Sequence, residues 1–183
     1  MGARRSLGSY MDDQILYEDT RQQAGKHKTK NAWWKAHGVT VVRKALDFGD
    51  YLVDGSNIVC DTKRNIQEVS MDCGRDHARF AREMDRAREA GYRLVILIET
   101  TGNYHCISDL ARWENDVCRR CDIRRYGDCT KQRCTRFKRR PMTGETLAKI
   151  MTKMAADHGC VFDFIHPKMA AKRICDLLGV RYE

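Results

Sequence analysis

Apolar residues recur along this chain in two rhythms, one of period two and one of three to four, and the rhythms divide it into elements. Gln14 to Asp19 is a short apolar run ending in acids and predicts a first strand. Asn31 to His37, with Trp33 and Trp34 and the stop signal Gly38, predicts a short helix. Val39–Leu46 and Phe48–Val53 are β-branched or aromatic stretches, the second entered through Gly49. Asp54-Gly55 is a hairpin signal, and Asn57–Thr62 returns as a further strand, so these three strands are expected to form an antiparallel meander. Leu94 to Ile98 is continuously apolar, as in a strand covered on both faces of a mixed or parallel sheet.

The longer rhythm marks helices. Phe80, Met84, Ala87 and Gly91 lie on one face of a helix over 75–90. Thr143 caps a second, with Leu147, Ile150, Met151 and Met154 on one side and Gly159 at its end. A strand over 161–165 and a helix from Met169 to Leu178, closed by Gly179, complete the chain. The order is β-α-βββ-α-β-(insertion)-α-β-α, an α/β domain with a mixed sheet. Residues 103–142 fit neither rhythm and read as an insertion, while 1–13 read as a loose tail without an export signal, so the protein is expected inside the cell.

Charge sharpens the picture. The chain has 34 Lys and Arg against 25 Asp and Glu, a net +9. Residues 112–140 alone hold eleven basic and four acidic side chains, so most of the excess sits in one stretch. A concentrated surplus suits a polyanionic partner, most simply nucleic acid, better than diffuse solubility charge. No run approaches the roughly 18 apolar residues of a membrane helix, so no membrane partner is expected. Motifs for nucleotide hydrolysis, serine hydrolysis and zinc proteolysis are missing.

The candidate chemistry lies on the hairpin. Asp61 and Lys63 share one face of their strand, and Asp50 on the partner strand is expected to face Asp61. Two carboxylates can hold Mg²⁺ or Mn²⁺ through hard oxygen ligands, and an ammonium can orient water or offset charge in a phosphodiester transition state. The plainer alternative is a surface ion pair between Asp61 and Lys63, worth under about 1 kcal/mol.

Three motifs in series resemble those of XPF-type nuclease domains, a branch of the PD-(D/E)XK superfamily. Asp19-Thr20-Arg21-Gln22 is similar to that family's D-x-R-E, Gly49-Asp50-Tyr51 to its G-D-Y, and Asp61-Thr62-Lys63 to its E-R-K. Arg79, Glu83, the strand Val95–Glu99 and the closing strand and helix follow the same pattern, so the resemblance covers 14–100 and 143–183. It implies a restriction-endonuclease-like mixed sheet flanked by helices, and a Mg²⁺- or Mn²⁺-dependent endonuclease of DNA repair or recombination that cuts branched or flap-bearing DNA. By position it makes Asp50 and Asp61 metal ligands and Lys63 the catalytic lysine, with Asp19 and Arg21 in the same cleft; the Thr62 carbonyl is expected as a third ligand. Asp61, Thr62 and Gln22 stand where the family has Glu, Arg and Glu. The helix-hairpin-helix module that usually follows is not found in these residues, so the grip on DNA is expected to come from elsewhere, such as the basic insertion or a dimer partner. So compact a nuclease would suit a phage or mobile element acting in its host cell.

Cysteines give the insertion its own candidate site. Of nine in the chain, Cys118, Cys121, Cys129 and Cys134 fall within 17 residues, with the first pair at zinc-knuckle spacing. They are expected either to bind one tetrahedral Zn²⁺, with His105 and Cys106 as substitutes, or to be four unrelated reduced thiols. Cys60, Cys73, Cys106, Cys160 and Cys175 read as core or inert thiols. Arg119, Arg120, Arg124, Arg125, Lys131, Arg133, Arg136, Lys138, Arg139 and Arg140 surround the cluster and are expected to contact phosphates. The rival to an enzyme is a catalytically silent DNA-binding module that uses the fold and a zinc lobe as scaffold.

Overall fold

The structure is a computed structural model that describes residues 14–23, 25, 27–123, 129, 134, 136, 137 and 140–183. Six strands form one mixed sheet: β1 (Ile15–Asp19), β2 (Thr40–Lys44), β3 (Tyr51–Val53), β4 (Ile58–Lys63), β5 (Arg93–Glu99) and β6 (Val161–Ile165), in spatial order β2-β1-β3-β4-β5-β6. Only β3 runs against its neighbours; β1 with β2, β4 with β5, and β5 with β6 pair in parallel. Here the expected meander fails. β2 leaves β3 and joins the far side of β1, because helix α1 (Lys28–Ala36) carries the chain across and brings β2 back parallel to β1.

Helices cover both faces. Leu94, Ile96 and Ile98 of β5 pack with Val59 against α2 (Ile66–Cys73), α3 (His77–Glu89) and α5 (Gly144–His158). Leu97 points the other way and joins Trp34 of α1 and Ile174 and Leu178 of α6 (Ala170–Leu178). The alternation explains the continuous apolar run: each fully buried Leu or Ile contributes roughly 1.5–3 kcal/mol, and both faces of β5 demand one. Helix α3 buries Phe80, Met84 and Ala87, the spacing read from the sequence. Gly159 and Gly179 end α5 and α6 in left-handed conformation (φ +69° and +75°). Trp34 is a core residue whose indole N–H donates to the Ala171 carbonyl (3.1 Å), while Trp33 stacks on His37.

Two features differ from the sequence expectation. Helix α2 precedes α3 as a separate element, started by the Asn65 side chain accepting from the Glu68 N–H (2.8 Å). The beginning of the segment 103–142 is tied into the main core: Leu110, in a 3₁₀ turn (Ile107–Arg112), is fully buried, and Tyr104, Ile107 and Trp113 pack beside it. A short helix α4 (Asp116–Arg119) follows. Of the five cysteines expected in the core, Cys106 is exposed, its thiol 3.5 Å from the Asp109 carboxylate; the other four are buried. The tail 1–13 lies outside the described residues.

Candidate active site

Strand direction alone collects the candidate residues. Because β1, β4 and β5 point the same way and β3 the opposite way, the ends of β1, β4 and β5 and the beginning of β3 lie along one sheet edge. Asp19, Asp61, Lys63, Glu99 and Asp50 sit there, and ligands of open α/β sheets gather at such carboxyl ends. Gly49 delivers Asp50 to this edge. Its φ is +64°, and a Cβ on it would lie 2.8 Å from Val59 Cγ2 and 3.0 Å from the Cys60 carbonyl oxygen. The Asp50 backbone is then held on both sides, its N–H donating to the Cys60 carbonyl and its carbonyl accepting from the Asp19 N–H, each at 2.8 Å.

Asp61 and Lys63 share the α2/α3 face of β4 and are both buried. The Lys63 ammonium lies 2.8 Å from Asp61 Oδ2 and 3.2 Å from Asp72 Oδ2, above the Phe80 ring at 5.2 Å. Asp61 Oδ2, although ion-paired to Lys63, accepts no well-oriented hydrogen bond. Burial pushes the Asp61 carboxyl up to about 7; the Lys63 charge opposes this, and Asp50 and Glu83 add to the rise. Burial works against the Lys63 ammonium, but the Asp61 and Asp72 carboxylates outweigh it, so its pKa is raised and it stays charged.

Asp50 meets the site differently from the expectation that it faces Asp61. Its Oδ2 accepts from the Thr62 N–H (2.8 Å) and the Thr62 hydroxyl (2.5 Å), and its Oδ1 accepts from the Gln22 amide (2.5 Å). Gln22 in turn meets His27 Nε2 at 2.8 Å. Asp50 still raises the Asp61 carboxyl, so the two acids share one electrostatic pocket. Asp19 and Arg21 pair at 2.6 Å, and Arg21 also donates to the Leu46 carbonyl, which pins the approach to β3. A second pair, buried Lys30 with half-buried Glu99, closes the α1 side, and the Tyr51 hydroxyl is buried nearby without a hydrogen-bond partner.

Asp72 escaped the sequence reading because it lies on α2. It is buried, and it joins Lys63 to Arg79, whose guanidinium is 3.1 Å from Asp72 Oδ1. Removing its charge leaves Lys63 with Asp61 alone. Asp72→Asn is therefore expected to cost about 1–3 kcal/mol of stability, read as a lowered urea midpoint; an unchanged midpoint would show that the lysine does not need this partner.

Among the described residues, no three His, Cys, Asp or Glu side chains form a ready metal-binding group. The acidic pocket offers two carboxylates, Asp50 and Asp61, and Asp61 Oδ2, which faces the Lys63 ammonium without a well-oriented hydrogen bond, is the atom a cation would contact. In the insertion, Cys118, Cys121, Cys129 and Cys134 line one small cavity. Of the basic residues there, Arg119 pairs with Asp116 (2.8 Å), Arg120 donates to the Asp116 carbonyl (3.3 Å), and Arg140 lies close enough to Cys118 to affect its thiol. Arg124, Arg125, Lys131, Arg133, Lys138 and Arg139 lie outside the described residues.

The mixed sheet covered on both faces is an XPF-like nuclease fold, and solved structures of that kind superimpose on this chain. XPF from Aeropyrum pernix matches with a TM-score of 0.54 and 18% sequence identity, covering 90% of this chain and 63% of that one. XPF from Aeropyrum pernix in complex with DNA matches with a TM-score of 0.56 and 18% identity, covering 91% and 64%. This chain thus spans less than two thirds of the XPF chains it matches. No protein-family model and no curated protein matches it. Among the described residues, no helix is long and apolar enough to cross a membrane.

Proposed function

We propose that this chain is a metal-dependent endonuclease that hydrolyses phosphodiester bonds of DNA and favours branched or flap-bearing duplexes. The observation that carries the proposal is Asp61: a buried carboxylate whose Oδ2 is ion-paired to a charged lysine but accepts no well-oriented hydrogen bond, at the carboxyl edge of the sheet. A structural ion pair is normally completed by hydrogen bonds, because an unsatisfied buried oxygen costs about 1–3 kcal/mol. The solved DNA complex of the XPF neighbour favours DNA as the polymer.

In this mechanism Asp50, Asp61 and the Thr62 carbonyl would hold Mg²⁺ or Mn²⁺. The ion, when bound, polarises a phosphodiester oxygen and lowers the pKa of water. Lys63, held between Asp61 and Asp72, orients the attacking water and offsets the charge that grows on the phosphate oxygens. Thr62 and Gln22 fix the rotation of the Asp50 carboxylate. In-line attack leaves a 5′-phosphate and a 3′-hydroxyl. The basic insertion grips the backbone: Arg124→Ala with Arg125→Ala is expected to weaken DNA binding and flatten its salt dependence, and an unaltered salt slope would count against that role.

The raised Asp61 pKa sets a pH dependence. A carboxyl must lose its proton to hold a cation, so Mn²⁺ affinity is expected to climb about tenfold per pH unit below about 7 and to level off above it. Equal affinity at pH 6 and pH 8 would contradict this. Linkage gives the matching effect on folding: the stabilising contribution of Asp61 is fully present below its unfolded value of about 4 and is lost as pH rises through about 7.

One observation favours the rival, a silent DNA-binding module: both oxygens of Asp50 already accept hydrogen bonds. Cleavage separates the two. Incubation with fork, flap, junction and linear DNA in Mg²⁺ or Mn²⁺ should cut the branched substrates and leave Asp61→Ala inactive. Binding without cutting in either metal would establish the silent module instead.

A further inference from the structure

We infer that Cys118, Cys121, Cys129 and Cys134 bind one structural Zn²⁺ through four thiolates, independently of the acidic pocket. All four line a single cavity whose other walls, among the described residues, are Val117, Phe137 and Pro141. None of the nine cysteines forms a disulfide, so the four sulfurs converge without a covalent reason. The local backbone explains the first pair: Asn115 caps α4 by accepting from the Val117 N–H (3.0 Å), and the Cys121 N–H donates to the Cys118 carbonyl (3.1 Å). This turn brings Cys118 and Cys121 together, and Cys129 and Cys134 line the same cavity.

Packing does not account for the convergence. Among the described residues of this lobe, Val117, Ile123 and Phe137 are each about 40% exposed and so form no sealed apolar core around the sulfurs. Neutral thiols attract one another weakly, which fits sulfurs that surround a cavity without yet forming a ready metal-binding group. A cation supplies the missing attraction: four S–H protons leave to solvent as four metal–sulfur bonds form. Ligand softness selects the ion. Thiolates favour Zn²⁺, whereas the carboxylates near Lys63 favour Mg²⁺ or Mn²⁺, so the chain sorts two metals into two sites. Cys118 and Arg140 also border the larger cleft at the start of α5, where Trp113 and Thr143 lie. A zinc ion would therefore tie the basic lobe to the main domain.

The test is metal content and spectroscopy of the purified chain. Elemental analysis should find one zinc per chain, and Co²⁺ substitution should give the intense near-ultraviolet thiolate-to-metal band of a four-sulfur site. Cys118→Ser combined with Cys134→Ser should lose both signals, whereas Cys106→Ser and Asp61→Asn should keep them. The wild-type Co²⁺ spectrum does not depend on any variant folding. Wild type without zinc and without the Co²⁺ band, or equal zinc in the double serine variant, would overturn the assignment. Because Asp61→Asn abolishes the proposed catalytic site without touching these sulfurs, failure of one site is distinguishable from failure of the other.

Discussion

Lys63→Met is expected to slow DNA cleavage about 10²–10³-fold, the loss typical of removing one donor aimed at a transition-state oxyanion. Methionine keeps an apolar stem to pack over Phe80 and deletes only the charge. Fold and DNA binding should survive, so the defect belongs in kcat and not in KM. A second consequence follows from the electrostatics. Lys63 holds the Asp61 carboxyl down against burial; without it that carboxyl titrates higher, and the remaining activity should move to more alkaline pH. A variant that cuts at the wild-type rate, with an unshifted profile, would remove the lysine from the mechanism.

Gly144→Ala is expected to destabilise the domain by more than about 3 kcal/mol, although alanine normally stabilises a helix over glycine by about 1 kcal/mol. Gly144 is the first residue of α5, and a Cβ there would lie 1.8 Å from the Leu110 carbonyl oxygen and 2.6 Å from that of Trp113. Both neighbours are backbone and cannot swing away as a side chain would. The contact exists because the 3₁₀ turn carrying Leu110 is pressed onto the start of α5, so the substitution tests whether this part of the insertion is docked. Urea denaturation reads the loss, and a wild-type or higher midpoint would mean that the turn is free of the helix.

Local rhythm told which face of an element is buried and said little about its neighbours. Leu94 to Ile98 announced a doubly covered strand because two clusters need alternate side chains. Asp61 and Lys63 were placed on one face by the period of the strand, and the structure pairs them at 2.8 Å. The position of β2 was not legible, since Val39–Leu46 looks the same beside β3 as beside β1, and only α1 decides. Helix α2 was hidden by its length, although Asn65 with Glu68, and Ile66 with Val69 and Cys73, carried a cap and an apolar face. With α2 went Asp72, the second partner of Lys63. Gln22 on Asp50 and Lys30 on Glu99 join residues 28 and 69 positions apart, and periodicity carries no information on such separations. The resemblance makes Asp50 a metal ligand but carries no sign that Thr62 and Gln22 engage both of its oxygens.

The claim on which cleavage depends is that the carboxylate at the end of β4 grips a hard divalent ion. Titrating Mn²⁺ into the chain at pH 8 and following the free ion by electron paramagnetic resonance measures that directly. Wild type should take up Mn²⁺ in competition with Mg²⁺, and Asp61→Asn should lose that uptake while remaining folded. Uptake that is identical in the two proteins, or missing from both, would contradict it.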